Sequence, residues 1–292
     1  MADKVSLYKN KLQKDFPELQ IDTLEIIGSG WHHDAVEVND VLVFRMPRGV
    51  HEITSTVDNE VSMLNLLQDK LPVAIPKPLY ISSGKEYFGY SKVDGVLLKD
   101  LVNGFGHGDW HQLKADWVAI ASSIHANVTI QKARELKMPN FIEPGPSAAE
   151  RIFGIEGVEQ DVLTFANQII ESSKKLNLES LHYVFIHNDL QFHNILADPH
   201  TKRISGLIDW TDACVGPLAR EFAIGEWMKP GLLEEVASLY EAKTGFKVDC
   251  DEARMWRSLE ELGDFVESTE AGDLDDAQET LGRVRSMMML VG

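Results

Sequence analysis

The chain has 292 residues, 44% hydrophobic and 25% charged, ordinary for a folded globular protein and enough for one large domain or two lobes. Its formal net charge of −18 weighs against nucleic acid and anionic membrane as partners, since both ask for a basic face. No apolar run reaches the roughly 18–20 residues of a membrane span, no signal-peptide core opens the chain, and Cys214 and Cys250 supply neither a disulfide framework nor metal spacing, so a cytoplasmic protein is expected.

Residues 4–16 carry Val5, Leu7, Tyr8, Leu12 and Phe16 at helical spacing and stop before Pro17. Residues 24–27 read as a strand, Gly28-Ser29-Gly30 as a turn, and 35–38 and 41–45 as two strands joined by Asn39-Asp40. His32, His33 and Asp34 read as a solvent-exposed loop tip: adjacent histidines on a turn do not readily face one ion, and no distant partner has ligand spacing. A helix is expected over 56–68, with Val57, Val61, Leu64 and Leu67 on its apolar side and Glu60 within it. Pro72, Pro76 and Pro78 then force an extended segment. Residues 88–95 read as a strand that ends in a glycine turn. The glycine-rich stretch 104–111 reads as a loop, and 110–128 as a helix with His125 near its end. Residues 147–178 add helices to which no chemistry is assigned.

The chemistry concentrates in 184–210, VFIHNDLQFHNILADPHTKRISGLIDW. An apolar run, Val184, Phe185 and Ile186, leads into His187, Asp189 and Asn194 in the order H-x-D-x-x-x-x-N. A second apolar strand, 204–208, delivers Asp209 twenty residues after Asp189. Phosphoryl transfer asks for this order and spacing. Asp189 would accept the proton of an attacking hydroxyl, while Asn194 and Asp209 would hold Mg²⁺, which favours a few hard oxygen ligands plus phosphate oxygens. Asp and Asn are also common turn residues, but a turn does not explain a third polar residue ending the next strand. Within that frame the backbone of Gly28, Ser29 and Gly30 would close over the nucleotide phosphates. Arg45 stands where a kinase places a lysine, and Arg45–Glu60 would replace the Lys–Glu pair that holds those phosphates, with a planar fork in place of a point charge. A plain hairpin turn and a surface arginine on an edge strand are the alternatives.

Residues 187–194 with Asp209, and the F-R-x-P-R run that holds Arg45, resemble the aminoglycoside phosphotransferases. Their relatives, the macrolide phosphotransferases and small-molecule kinases, are similar too, and all share a fold with eukaryotic protein kinases. The resemblance implies an α+β, bilobal protein-kinase-like fold. Residues 1–92 would form a nucleotide-binding lobe around a small antiparallel sheet, and 93–292 a mainly helical catalytic and substrate-binding lobe, with a hinge near 90–95. It further implies that backbone groups near Ser91 and Val93 meet the purine, with Tyr90 at the back wall. A bulky residue there resembles members that favour GTP, so ATP or GTP is the expected donor; a plain core role for Tyr90 stays open. The helix over 110–128 would underlie the catalytic loop, and His187 would brace it. After Asp209 the chain reads Asp-Trp-Thr where protein kinases have Asp-Phe-Gly. Asp212 would line the substrate pocket and pair with an ammonium, or else cap the next helix. Many relatives show a D-P-x-x-D-like run where this chain has 216–221, so Glu221 is expected as the second substrate-side acid.

Residues 231–292 carry 15 acidic against 6 basic side chains. Trp256, Leu259, Leu262, Phe265 and Val266 lie at helical spacing and read as core, with Glu260, Glu261, Asp264, Glu267 and Glu270 on the other face. An acidic field favours a polycation, although a merely solvated surface explains it as well. The expected activity is γ-phosphoryl transfer from a nucleoside triphosphate to an antibiotic hydroxyl, an aminoglycoside first. IHND and the N-terminal part resemble aminoglycoside 2″-phosphotransferases, while TKRISGLIDWTDA and LEELGDFVESTEAGDLDDAQ resemble macrolide phosphotransferases. A macrolide or a metabolite is therefore the alternative acceptor. A pseudokinase acting as a binding module is the alternative of another class, motivated by Arg45 and Asp-Trp-Thr. Mg²⁺ is the expected cofactor, and a monomer the expected state.

Overall fold

The helix expected before Pro17 is α1 (Ala2–Asp15), and the chain then runs through three strands, β1 (Leu24–Ser29), β2 (His33–Val38) and β3 (Leu42–Pro47). The computed structural model describes residues 2–30, 33–48, 57–141 and 146–291, so the expectations for His32 and for residue 56 lie outside the described residues. Asn39 and Asp40 have φ of 53° and 59°, the left-handed pair that a two-residue hairpin turn between twisted strands requires. The Asn39 side chain anchors that turn by accepting from the backbone N–H groups of Asp22 and Thr23.

The helix α2 (Val57–Leu67) leads to β4 (Pro78–Ile81) and β5 (Phe88–Ser91), which complete an antiparallel sheet of order β1-β2-β3-β5-β4. Gly89 faces Phe44 across the β3–β5 ladder, and a Cβ there would stand 2.4 Å from the Phe44 ring. Glycine is thus what lets β5 lie flat on this aromatic. The sheet's inner face packs Phe44 with Phe16, Tyr80 and Tyr87 under α1.

Next come β6 (Val96–Leu97), α3 (Leu98–Leu101), α4 (His107–Asn127), α5 (Ile130–Glu135), α6 (Pro146–Glu150) and α7 (Gln160–Lys174). Four short strands follow: β7 (Tyr183–Ile186), β8 (Ile195–Ala197), β9 (Ile204–Leu207) and β10 (Cys214–Pro217). Helices α8 (Leu218–Phe222), α9 (Gly225–Met228), α10 (Leu232–Thr244), α11 (Cys250–Ala271) and α12 (Leu274–Val291) end the chain. The α+β class expected from the sequence is the class observed. No helix among the described residues is long and apolar enough to cross a membrane.

The chain divides into two compact units. The first gathers Met1–Asp116, Ala126–Pro139 and Phe192–Ala213, and so holds the five-stranded sheet and the smaller sheet β6-β8-β9. The second gathers Trp117–His125, Asn140–Gln191 and Cys214–Gly292, and holds the β7–β10 pair and the C-terminal helices. Its core joins Phe165 and Ile169 of α7 to Trp256, Leu262 and Val266 of α11 and Val284 of α12, as the helical spacing predicts.

Two local expectations are corrected. The glycine-rich stretch 104–111 is a loop only at its start, because α4 already begins at His107, and the Asp109 carboxylate accepts the Gly106 N–H one turn back. His33 and Asp34 do not form an exposed loop tip: both belong to β2, and strand alternation turns Asp34 fully inward. There its carboxylate accepts from Tyr8 Oη at 2.6 Å and pairs with Lys4 at 2.5 Å, tying α1 to the sheet.

Candidate active site

In the first unit Arg45 is the organising side chain. It lies on β3, in the middle of the sheet and opposite Ala35, and is 6% exposed, so the surface edge-strand alternative falls away. Nη1 pairs with Glu60 on α2. Nη2 donates to Asp209 Oδ1 at 2.9 Å and to Thr211 Oγ1, and lies 3.3 Å from His33 Nδ1. The Phe88 ring sits 5.7 Å from the guanidinium carbon, a cation–π contact. Burial opposes the charge on Arg45, yet Glu60 and Asp209 hold the group above its ordinary value. Burial pushes the Glu60 carboxyl up to about 7, against the pull of Arg45 and with the push of Asp209.

Asn194 and Asp209 meet because β8 and β9 pair. Asn194 precedes β8, Asp209 follows β9, and the Ile208 N–H donates to the Asn194 carbonyl at 2.9 Å. Asn194 is buried, whereas the Asp209 side chain is 46% exposed on a residue with φ of 57°. One carboxylate and one amide at adjoining strand ends fit a small hard cation that completes its shell from phosphates and water. Among the described residues no cluster of three or more His, Cys, Asp or Glu forms an all-protein metal centre. Asp212 lies half-buried in the turn before β10, and its charge also raises Arg45 and Glu60. The element it precedes is a strand, so the helix-cap alternative is lost.

Gly28, Ser29 and Gly30 are exposed, and the turn expected there is instead the end of β1, which runs on to Ser29. Gly28 and Ser29 still pair with β2, the Gly30 N–H donates to the His33 carbonyl at 2.9 Å, and Arg48 Nη1 donates to the Gly30 carbonyl at 2.6 Å. At the end of β5, Tyr90 is buried beside Phe88, and its phenol is raised by burial. Ser91 is exposed, and Val93 is buried against Gly206, where a Cβ would come 2.6 Å from it.

In the second unit β7 delivers His187, Asn188 and Asp189. His187 is fully buried and its Nδ1 accepts the Asp189 N–H at 3.3 Å, the geometry of a brace. Asn188 adopts φ of 69°, which turns the chain between the two. Gln191 Nε2 donates to Asp189 Oδ1 at 2.7 Å.

Glu221 is a correction. Expected beside the substrate, it is 1% exposed and accepts the backbone N–H groups of His187 at 3.2 Å and Asn188 at 3.0 Å. It reaches them because β10 pairs with β7 and turns directly into α8. His125 of α4 stands 3.7 Å away and hydrogen-bonds Tyr240 Oη at 2.7 Å. Burial alone would raise Glu221, but His125, His187 and the Asn188 N–H hold it below its ordinary value. Its carboxylate holds the backbone of the segment that leads into Asp189.

The acids of α11 are not simply solvated either. Glu260 pairs with Arg220 at 2.5 Å and Arg257 at 2.6 Å, while Glu261, 1% exposed, pairs with Arg257 and with Arg283 at 2.7 Å. Burial, reinforced by Glu260 and Glu261, pushes Asp264 up to about 7. Arg257 is close enough to Asp189 for that carboxylate to raise it, after Glu260, Glu261 and Asp264. Thr211, Gln191 and Arg257 are contributors that motif reasoning missed. Only Arg257 left a signal, its spacing of three and four residues from Glu260 and Glu261.

Residues 23–262 match the phosphotransferase enzyme family. Among solved structures, the GDP complex of wild-type aminoglycoside 2'-phosphotransferase-IIIa superposes with a TM-score of 0.84 at 18% identity, over 99% of each chain. The GDP and kanamycin complex of APH(2")-IIia gives 0.81 at 19% identity, over 96% of this chain and 98% of that one. A macrolide 2'-phosphotransferase type I gives 0.70 at 19%, over 97% of each. At such identities the superpositions speak for the fold, while the sequence match covers well over half the chain: the protein belongs to the phosphotransferase enzyme family.

Proposed function

We propose that the protein transfers the γ-phosphoryl group of ATP or GTP to a hydroxyl of an antibiotic, an aminoglycoside foremost. The observation that carries the reading is the convergence on Arg45 of Glu60 from one stretch of the chain and of Asp209 and Thr211 from another. A structural ion pair needs two partners; here one guanidinium spans the buried Glu60 and the half-exposed Asp209, which leaves a charged fork at a site open to phosphates. Asp189 accepts the acceptor's proton as the new O–P bond forms, and the displaced electron pair leaves with the nucleoside diphosphate. Asn194 and Asp209 would hold Mg²⁺, which supplies charge neutralisation on the phosphates. Arg45, supported by Glu60, orients the phosphates, and the backbone of Gly28, Ser29 and Gly30 covers them. Ser91 and Val93 meet the purine in front of Tyr90, whose bulk supports use of GTP. Asp212 pairs with an acceptor ammonium. Residues 1–92 form the nucleotide-binding lobe and 93–292 the catalytic and substrate-binding lobe, with the hinge near 90–95, in a monomer working in the cytoplasm. With a loose transition state, positioning and charge neutralisation supply most of the rate.

One observation favours a second reading. Glu260 and Glu261 are already engaged by Arg220, Arg257 and Arg283, which removes two carboxylates from a polycation's reach. An acceptor with a single amine, a macrolide, asks for fewer free carboxylates. The test is a panel of kanamycin, gentamicin and erythromycin with ATP or GTP and Mg²⁺, the phosphorylated product read by mass spectrometry. A phosphorylated aminoglycoside supports the first reading, and erythromycin alone supports the second. Nucleotide binding without product on any acceptor would contradict both and favour a binding module.

A further inference from the structure

Asp209 Oδ1 accepts two hydrogen bonds, from Arg45 Nη2 at 2.9 Å and from Thr211 Oγ1 at 2.7 Å. The other arm of the same guanidinium is committed to Glu60. Arginine stays charged at any working pH. The oxygen that would ligate the cation therefore has a permanent positive charge within hydrogen-bond distance. An ion bound to it at about 2.1 Å would stand within roughly 5 Å of that nitrogen. With Arg45 buried, such repulsion is poorly screened. A lysine would place one point charge here, whereas the arginine fork spans Glu60 and Asp209 at once.

We propose that Arg45 latches Asp209, so that the divalent cation is taken up together with the nucleotide phosphates and not ahead of them. Phosphate oxygens are strong acceptors for a guanidinium. They compete with Asp209 for Arg45 and bring the negative charge that a cation beside it needs. Thr211 remains a hydrogen-bond partner of Asp209 throughout. Coupling of this kind is reciprocal, so the cation in turn strengthens nucleotide binding through the released carboxylate. The inference rests on the proposed role of Asp209 as a metal ligand.

Mn²⁺ is the probe, followed by the electron-spin-resonance signal of the free ion on the full chain, with and without a non-hydrolysable ATP analogue. With the analogue, Asp209→Asn must weaken Mn²⁺ uptake at least about tenfold; an unchanged affinity removes Asp209 as a ligand, and the latch with it. Without nucleotide, Arg45→Met is expected to bind Mn²⁺ about tenfold more tightly than wild type, within the usual range of site-to-site coupling. Equal nucleotide-free affinities would overturn the latch while leaving the ligand role intact. Should Arg45→Met fail to fold, ADP binding in EDTA decides. The latch predicts that Asp209→Asn binds metal-free ADP at least about threefold more tightly than wild type, and equal binding overturns it.

Discussion

Besides the bond from Gln191 to its side chain, Asp189 is positioned through the backbone that carries it. Two backbone N–H groups just before it end on the buried Glu221 carboxylate, and its own N–H ends on His187. Glu221→Gln keeps the shape but removes one acceptor oxygen and the charge facing His125. The expected result is a fall in kcat of about 10–100-fold, since misplaced catalytic groups cost rate steeply, with the nucleotide KM changed less than about twofold. Steady-state kinetics check this, and a loss confined to KM would return Glu221 to the substrate side. The candidates His187, Asp189, Asn194 and Asp209 could be picked from the sequence because their spacing is local, and the proposed chemistry asks for that order. Glu221 was legible as an acid of consequence but not in its role, which depends on the register of β10 against β7, from Cys214↔Ile186 to Pro217↔Tyr183. Thr211 carried no signal, because a threonine two residues past an aspartate is commonplace until Arg45 arrives from a distant strand.

At the scale of elements, the strands and helices followed local rules. The Asn39-Asp40 turn, the glycine at 89 and the apolar stripe of α11 each record a backbone or packing need within a few residues. Gly89→Ala puts a methyl inside the Phe44 ring contact and is expected to destabilise by about 2–3 kcal/mol, as overpacking does. Denaturant unfolding measures this, and an unchanged midpoint would contradict the close approach. The ion pairing of the α11 acids was not legible because their partners Arg220 and Arg283 lie on other helices. Asp264 carries the consequence. Its carboxyl is raised from 3.8 to about 7 in the fold, so the protonated form is the one the fold favours. That stability is fully present below about pH 4 and is lost as pH rises through about 7. Asp264→Asn should therefore stabilise the protein by about 2–4 kcal/mol at pH 8 and by little at pH 4. Thermal melts at the two values decide, and a gain equal at both would contradict the buried-charge account.

At the scale of the molecule, the net charge of −18 says less about the acceptor than its size suggests. Part of the acidity is buried in ion pairs on α11, as with Glu261, and part lies at the surface, as with Asp251, which is exposed even while paired with Arg254. Charge composition could not reveal this division, since pairing is a property of the fold. What the order of the motifs did point to, through the resemblance they carry, was the family, because phosphoryl transfer fixes a few residues and leaves the remainder to hydrophobic patterning. A TM-score of 0.84 at 18% identity is the expected outcome of that freedom. The central claim is that Asp189 accepts the acceptor's proton during phosphoryl transfer. Its most direct test is the transfer of labelled γ-phosphoryl to the acceptor by wild type and by Asp189→Asn, with nucleotide affinity measured alongside. The account predicts a loss of about 10²–10⁴-fold in transfer with nucleotide affinity unchanged, the span of a lost general base. Transfer within a few-fold of wild type would contradict it.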